Sequence, residues 1–297
     1  MKWKIFIIAL TIGLLAGCKD AATKASGTTS KNLVAAYVTE GLADISMSSK
    51  LWQDAQEIKA SLEPQDIAMP KLMQSQIKEI RVKALCDDKK LAFRLEWDDA
   101  TQDTMQENGL FSDAVAIQLP PSPEAELPDP MMGQSDRPVH IHLWKAAYQR
   151  QIELGDWNLR QAHPHASVDH YPFDAASGES KEKMEKQYKI ALASGNPISR
   201  NRTSSVDDLV ANGYGKLAFL PQQNSMGWSQ WQQGKWTVII SRPLSQDSSS
   251  KGGFKPGQST FVAFGVWNGA EKQIGSRKMR TVWIPLILKG KAHESQS

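Results

Sequence analysis

The chain has 297 residues, a formal net charge of +3 and 2 cysteines. Charge this weak, with basic residues scattered and not in runs, excludes a nucleic-acid-binding surface as the organising feature. Ten tryptophans point to a sandwich core or to ligand contacts, and the scarcity of thiols leaves stability to the core.

Lys2 and Lys4 form a short positive region, and an apolar run follows from Ile5 to Leu15. The run has the length of a signal-peptide core and is too short to span a bilayer as a helix. It ends in Leu15-Ala16-Gly17-Cys18, which has the form of a lipobox. Residues 1–17 are therefore expected to be a lipoprotein signal peptide, with Cys18 the lipidation site; the alternative is an ordinary signal peptide with a chance cysteine. An exported protein held at a membrane and facing the periplasm follows, with the inner or outer membrane left open. After processing, only Cys86 remains as a free thiol. No later stretch approaches the roughly 20 apolar residues of a transmembrane helix.

Residues 18–48 are expected to be a lipidated tether. Lys19–Lys31 is rich in Ala, Ser, Thr, Lys and Gly, and Asn32–Ser48 carries the loose periodicity of a short helix. The folded domain is expected over 49–290, starting near Leu51-Trp52, with 291–297 a disordered tail. Ile80, Val82 and Ala84 alternate with Arg81 and Lys83; after Asp87-Asp88-Lys89, Leu91, Phe93, Leu95 and Trp97 alternate with Arg94 and Glu96. This predicts a hairpin with one buried and one wet face. Val115, Ile117 and Leu119 predict a strand stopped by Pro120-Pro121. Further strands are expected at Val139–Trp144, Trp236–Ser241, Thr260–Trp267 and Thr281–Leu288, with turns at Gln233-Gly234, Pro256-Gly257 and Asn268-Gly269. Helix is expected only at Lys181–Leu192 and at Ser204–Asn212, the second with Ser204 or Ser205 as N-cap and Gly213 as its stop. Ser122–Arg137 and Leu159–Ser180 are long loops. The fold class is mainly β: a two-sheet antiparallel β-sandwich with a few short helices and long loops.

Along Val139–Lys145, the residues Val139, Ile141, Leu143 and Lys145 share one face, and His140, His142 and Trp144 the other. A lysine on the apolar face either snorkels outward or is neutral and bound to something. His140 and His142 have the i, i+2 spacing of a metal pair, completed by His163, His165 or His170; equally, they are polar groups on a wet strand face. Asp98-Asp99 and Asp207-Asp208 read as solvated pairs. Gly-x-Ser-x-Gly, His-Glu-x-x-His, the phosphate loop, the dinucleotide fingerprint and Cys-x-x-Cys-His are all missing from the sequence, so nothing marks an enzyme or a covalent haem.

In order, Leu91–Asp99, Phe111–Leu119, Met132-Gly133, Pro138–Ala146, Gly195-Asn196-Pro197, Gly213-Tyr214-Gly215, Gly234–Leu244 and Val262–Trp283 form a recognisable series. Over roughly Leu51 to Leu288 the chain resembles the haem b-binding γ subunits of ethylbenzene dehydrogenase and dimethyl sulfide dehydrogenase, and their selenate and chlorate reductase relatives. The resemblance implies one non-covalent haem b held by a lysine and a methionine. It also implies electron transfer between an iron–sulfur subunit of a molybdoenzyme, or another redox partner, and a soluble periplasmic carrier, without a catalytic site of its own. The family's Trp-Lys-Ala context falls on Trp144-Lys145-Ala146, which implies Lys145 as an axial ligand through its deprotonated amine. The family's methionine precedes the first strong strand, which implies Met73, with Met69 next and Met132 third. Met132, Trp144, Ile141 and Leu143 are the implied pocket. The chain departs from its relatives in carrying a lipid, and in reading His-Ile-His-Leu-Trp where they have Asn-Ile-Trp-Xaa-Trp. The remaining readings are a carbohydrate- or small-ligand-binding sandwich without haem, and a lipoprotein binding metal through its histidines.

Overall fold

The computed structural model describes residues 32–43, 45–155, 163–167, 171–200, 202–245 and 253–291. Cys18, the signal peptide and His170 lie outside these residues.

The alternating segment forms the expected hairpin. Strand β4 (Glu79–Cys86) pairs antiparallel with β5 (Lys90–Asp98), from Arg81 opposite Glu96 to Cys86 opposite Leu91. Asp87 closes the turn: one carboxylate oxygen accepts from the Lys89 and Lys90 amides, and the other from Leu42 N at 2.7 Å. Beyond β5 the sheet continues through β11 (Lys235–Pro243) to β10 (Met226–Trp231), both antiparallel. On the far side of β4, β2 (Ile58–Ser61) and β1 (Leu33–Tyr37) are added, and β14 (Ile284–Leu288) follows β1.

Strand β1 corrects an expectation. The segment read as a tether, or a short helix, is a strand running parallel to both β4 and β14. Leu33 and Ala35 alternate into the core with no exposed surface. Five residues are too few to declare a period, and pairing on both edges imposes the extended form. Among the described strand pairs, these two are the parallel exceptions in an otherwise antiparallel fold.

Strand β12 (Ser259–Trp267) belongs to both sheets. Its first half pairs with β14, and its second half with β6 (Ala114–Leu119) and β13 (Met279–Arg280). The second sheet runs on through β7 (Val139–Lys145), β8 (Val206–Ala211) and β9 (Leu217–Phe219), and β3 (Glu63–Pro64) flanks β13. The chain is thus the mainly β sandwich that its alternation implies. Both sheets supply its shared core: Phe93 meets Phe264 edge-on at 6.2 Å, and Trp97, Trp144 and Trp236 sit with ring centroids 5.2–6.3 Å apart.

Ser204–Asn212 is not a helix. Ser204 Oγ accepts from Val206 N and donates to Ser225 O, which starts an extended strand held between β7 and β9. The helices α2 (Gly178–Tyr188) and α3 (Ile190–Ala193) fall where helix was expected, and α1 (Ala146–Leu154) follows β7 directly. Val38, Leu42, Ile45 and Trp52 cover the outer face of the first sheet against Leu85, Ala92 and Ile239. The outer face of the second sheet is roofed by loops instead.

Candidate functional site

That roofed face encloses a cavity of about 500 Å³, within the range of small-ligand sites. Its floor follows from strand parity. Residues pointing away from the sandwich interior are Ala114, Ala116 and Gln118 on β6, Ile141, Leu143 and Lys145 on β7, and Ala263, Gly265 and Trp267 on β12. Register aligns them in rows: Lys145, Ala114, Trp267; then Leu143, Ala116, Gly265, Arg280; then Ile141, Gln118, Ala263. Ala114, Ala116 and Gly265 lie in the middle of the first two rows and Ala263 ends the third, so this part of the floor is low and flat while Lys145, Leu143, Trp267 and Arg280 stand at its edges. Loops bring Ala68, Met69, Gln106, Pro130, Met132 and Tyr214 over it.

Lys145 is the last residue of β7, on the same face as Ile141 and Leu143. Its Nζ donates to Gln106 Oε1 at 3.1 Å and lies 4.9 Å from the Tyr148 ring centroid. Burial lowers its pKa, against the opposing pull of Asp207. Asp207 is already held by Arg200 at 2.6 Å and Arg202 at 2.8 Å, so it is not Lys145's own counter-ion. Among the described residues no carboxylate lines the cavity; its charged lining groups are Lys145, Lys278 and Arg280.

Met69 reaches the cavity from a loop that Gln65 organises. Gln65 is buried; its Oε1 accepts from the Ile67 and Ala68 amides, and its Nε2 donates to Ala68 O and Ser276 O. Ser276 Oγ adds a bond to Pro70 O. The sequence carries no signal for Gln65 or Gln106, because a single glutamine announces neither its partners nor its burial. Met132 has φ 71° and precedes Gly133 at φ 74°, where a Cβ would come within 2.7 Å of Ala211 O. This turn packs Met132 against the Val139–Ile141–Leu209 cluster.

Of the residues named from sequence, Lys145, Met69, Met132, Ile141 and Leu143 therefore meet around one cavity. Met73 does not line it and is 74% exposed. Trp144 is also off it: strand parity turns its ring into the sandwich interior, between Trp97 and Trp236. The lining tryptophan is Trp267, whose Nε1 donates to Gly275 O. The histidine face of β7 is not wet. His142 is fully buried, with Nδ1 2.6 Å from Asp208 Oδ1 and 3.1 Å from Ser225 Oγ, and burial lowers its pKa. His140, half-buried on the same face, is similarly pushed down to about 4, so both are neutral side chains. His163 and His165 are exposed in a loop, and no group of three metal-ligating side chains occurs among the described residues.

A family model described as ethylbenzene dehydrogenase matches residues 49–279. The chain belongs to this family. The ethylbenzene dehydrogenase span holds every cavity residue named above except Arg280, and it leaves out β1. A protein of Haloferax mediterranei, named as a respiratory nitrate reductase heme subunit, is 22% identical over 237 residues. The match covers 80% of this chain and 65% of that protein, so the chain spans less than two thirds of its relative's length. Two solved structures of a family 9 carbohydrate-binding module from Caldicellulosiruptor kristjanssonii, with cellotriose and with glucose, have TM-scores of 0.44 and 0.42. They are 11% and 10% identical and cover 90% of this chain, and 98% and 100% of their own. Likeness at that level says nothing about ligands.

Proposed function

We propose that the chain is an electron-transfer protein that holds a non-covalent haem b in the cavity on the outer face of the second sheet, with Lys145 and Met69 as axial ligands. One observation carries this reading: a lysine whose pKa burial lowers and a methionine thioether line the same largely apolar cavity, to which the described residues contribute no carboxylate. The residues fit the group. The Ala and Gly floor suits a flat macrocycle, and iron ligation needs the deprotonated amine that burial promotes. A neutral Lys145 amine still donates a hydrogen bond to Gln106, which keeps it oriented. Met69 is preferred to Met132 because Met132 is half-buried against Val139, Ile141 and Leu209, whereas Met69 stands 78% exposed at the cavity. Met73 is set aside because it does not line the cavity.

Haem held by lysine and methionine supplies one-electron transfer at a potential raised by the thioether, and both axial positions are filled by protein. Nothing then remains for a substrate, so the chain acts as a subunit or partner of a periplasmic redox enzyme, between an iron–sulfur subunit and a soluble carrier. Lipid on Cys18 would hold it at the membrane surface. Family membership and the name of the Haloferax relative support this reading. The purified chain is expected to show a Soret band and a reduced α band. Lys145→Ala and Met69→Ala should each alter the spectrum, and Met73→Ala should not. A chain with no Soret band after haem is supplied overturns the reading; a Met132→Ala change without a Met69→Ala change moves the ligand to Met132.

A further inference from the structure

Resting on the haem reading, we propose that Lys278 and Arg280 form the anion-binding edge of the cavity, receive the two carboxylates of the tetrapyrrole and so fix which way round the ring lies. Both residues flank Met279, which points into the core with no exposed surface and pairs with Val266. Strand parity therefore turns Lys278 and Arg280 together into the cavity, on a backbone the core immobilises. Among the described residues neither has an ion-pair partner. Lys278 Nζ stands 5.2 Å from the Trp267 ring centroid, and Arg280 Nε is buried with no hydrogen-bond partner among the described residues. Burial, with Arg280 beside it, pushes Lys278 down to about 8. Two neighbouring cations without a counter-ion are costly in an apolar site, and ligand carboxylates would complete them. The planar guanidinium is well shaped for a carboxylate.

The opposite edge is apolar, with Leu209, Leu217, Met132 and Tyr214. Lys145 lies on β7, three strand spacings from β13, a backbone separation of roughly 14 Å. Its amine and the β13 cations are thus free to take separate parts of one ligand. Lys278 and Arg280 would then hold the ring's carboxylates at β13, leaving its apolar side toward Leu209 and Leu217.

The test titrates the haem-free full chain with haem b and with its dimethyl ester, following the Soret band. The wild type should bind the diacid tighter than the diester, by about tenfold for each carboxylate held. Lys278→Gln and Arg280→Gln should each lose about one such factor, the double variant should show no preference, and Lys278→Arg should keep it. Circular dichroism confirms folding of each variant, and the single variants decide the matter if the double variant does not fold. Folded variants that bind haem with the wild-type preference overturn the assignment. A wild type that gives no Soret band with either compound overturns the haem reading itself, which is a different result.

Discussion

Asp208 is held by three donors inside the sandwich: His142 Nδ1 at 2.6 Å, Asn224 N at 2.8 Å and Ser225 N at 2.9 Å. Burial alone would raise its pKa; the hydrogen bonds from His142 and Ser225 outweigh burial and lower it. A lowered folded value stabilises the protein above the unfolded carboxylate range, and that stability is lost as pH falls through the folded value. Asp208→Ala leaves these three donors without their acceptor and should therefore cost about 3 kcal/mol by urea denaturation at pH 7, with the difference shrinking in acid. Equal stability at pH 7 would refute the role. Asp113 works in the other direction. Burial, with Asp99 nearby, pushes it from 3.8 up to about 7, so its contribution is complete below about 4 and is lost as pH rises through about 7. Asp113→Asn should flatten that part of the stability profile. Neither role was legible in sequence. Asp207-Asp208 read as a solvated pair because adjacency is visible, while the donors to the Asp208 carboxylate lie 16 to 66 positions away.

At the level of elements, β7 shows what alternation reveals and what it hides. The two sets of side chains were legible from period two, but the side facing the sandwich was not, because both faces are covered: one by the other sheet, one by the cavity roof. Trp144→Ala should accordingly destabilise the fold by about 3–5 kcal/mol in denaturant titration. Ala116→Leu, on the cavity floor, should leave the apoprotein's melting temperature within a few degrees while weakening haem binding tenfold or more, as read by Soret titration. Equal haem affinity in Ala116→Leu would remove the floor from the site. The hairpin of β4 and β5 was readable because its turn is local. Strand β8 was not, since a serine ahead of paired acids imitates a helix start, and only its neighbours β7 and β9 make it a strand. The choice between Met69 and Met73 was equally hidden, because the loop path is set by Gln65 and Ser276 and not by any periodicity.

For the molecule as a whole, the folded unit begins earlier than the family span: β1 at Leu33–Tyr37 sits between β4 and β14. A chain starting at Asn32 keeps β1 whole and is the reference. One starting at Gly41 loses the burial of Leu33 and two strand interfaces, and should be weaker by about 3 kcal/mol or more in urea titration. Strand β12 has a wider consequence. It lays Val262, Phe264 and Val266 into the shared core while Ala263 and Gly265 form the cavity floor. The two sheets cannot separate without breaking one continuous strand, so melting should be a single cooperative event. Occupancy of the outer face is then linked to the stability of the entire domain: ligand at a hundredfold excess over its Kd adds about 2.7 kcal/mol. Calorimetry with added haem should show one transition moving upward as a whole, where separable sheets would show two with only one of them shifted. If haem is held there as proposed, a cofactor outside the sandwich would set how far the whole domain resists unfolding and proteolysis.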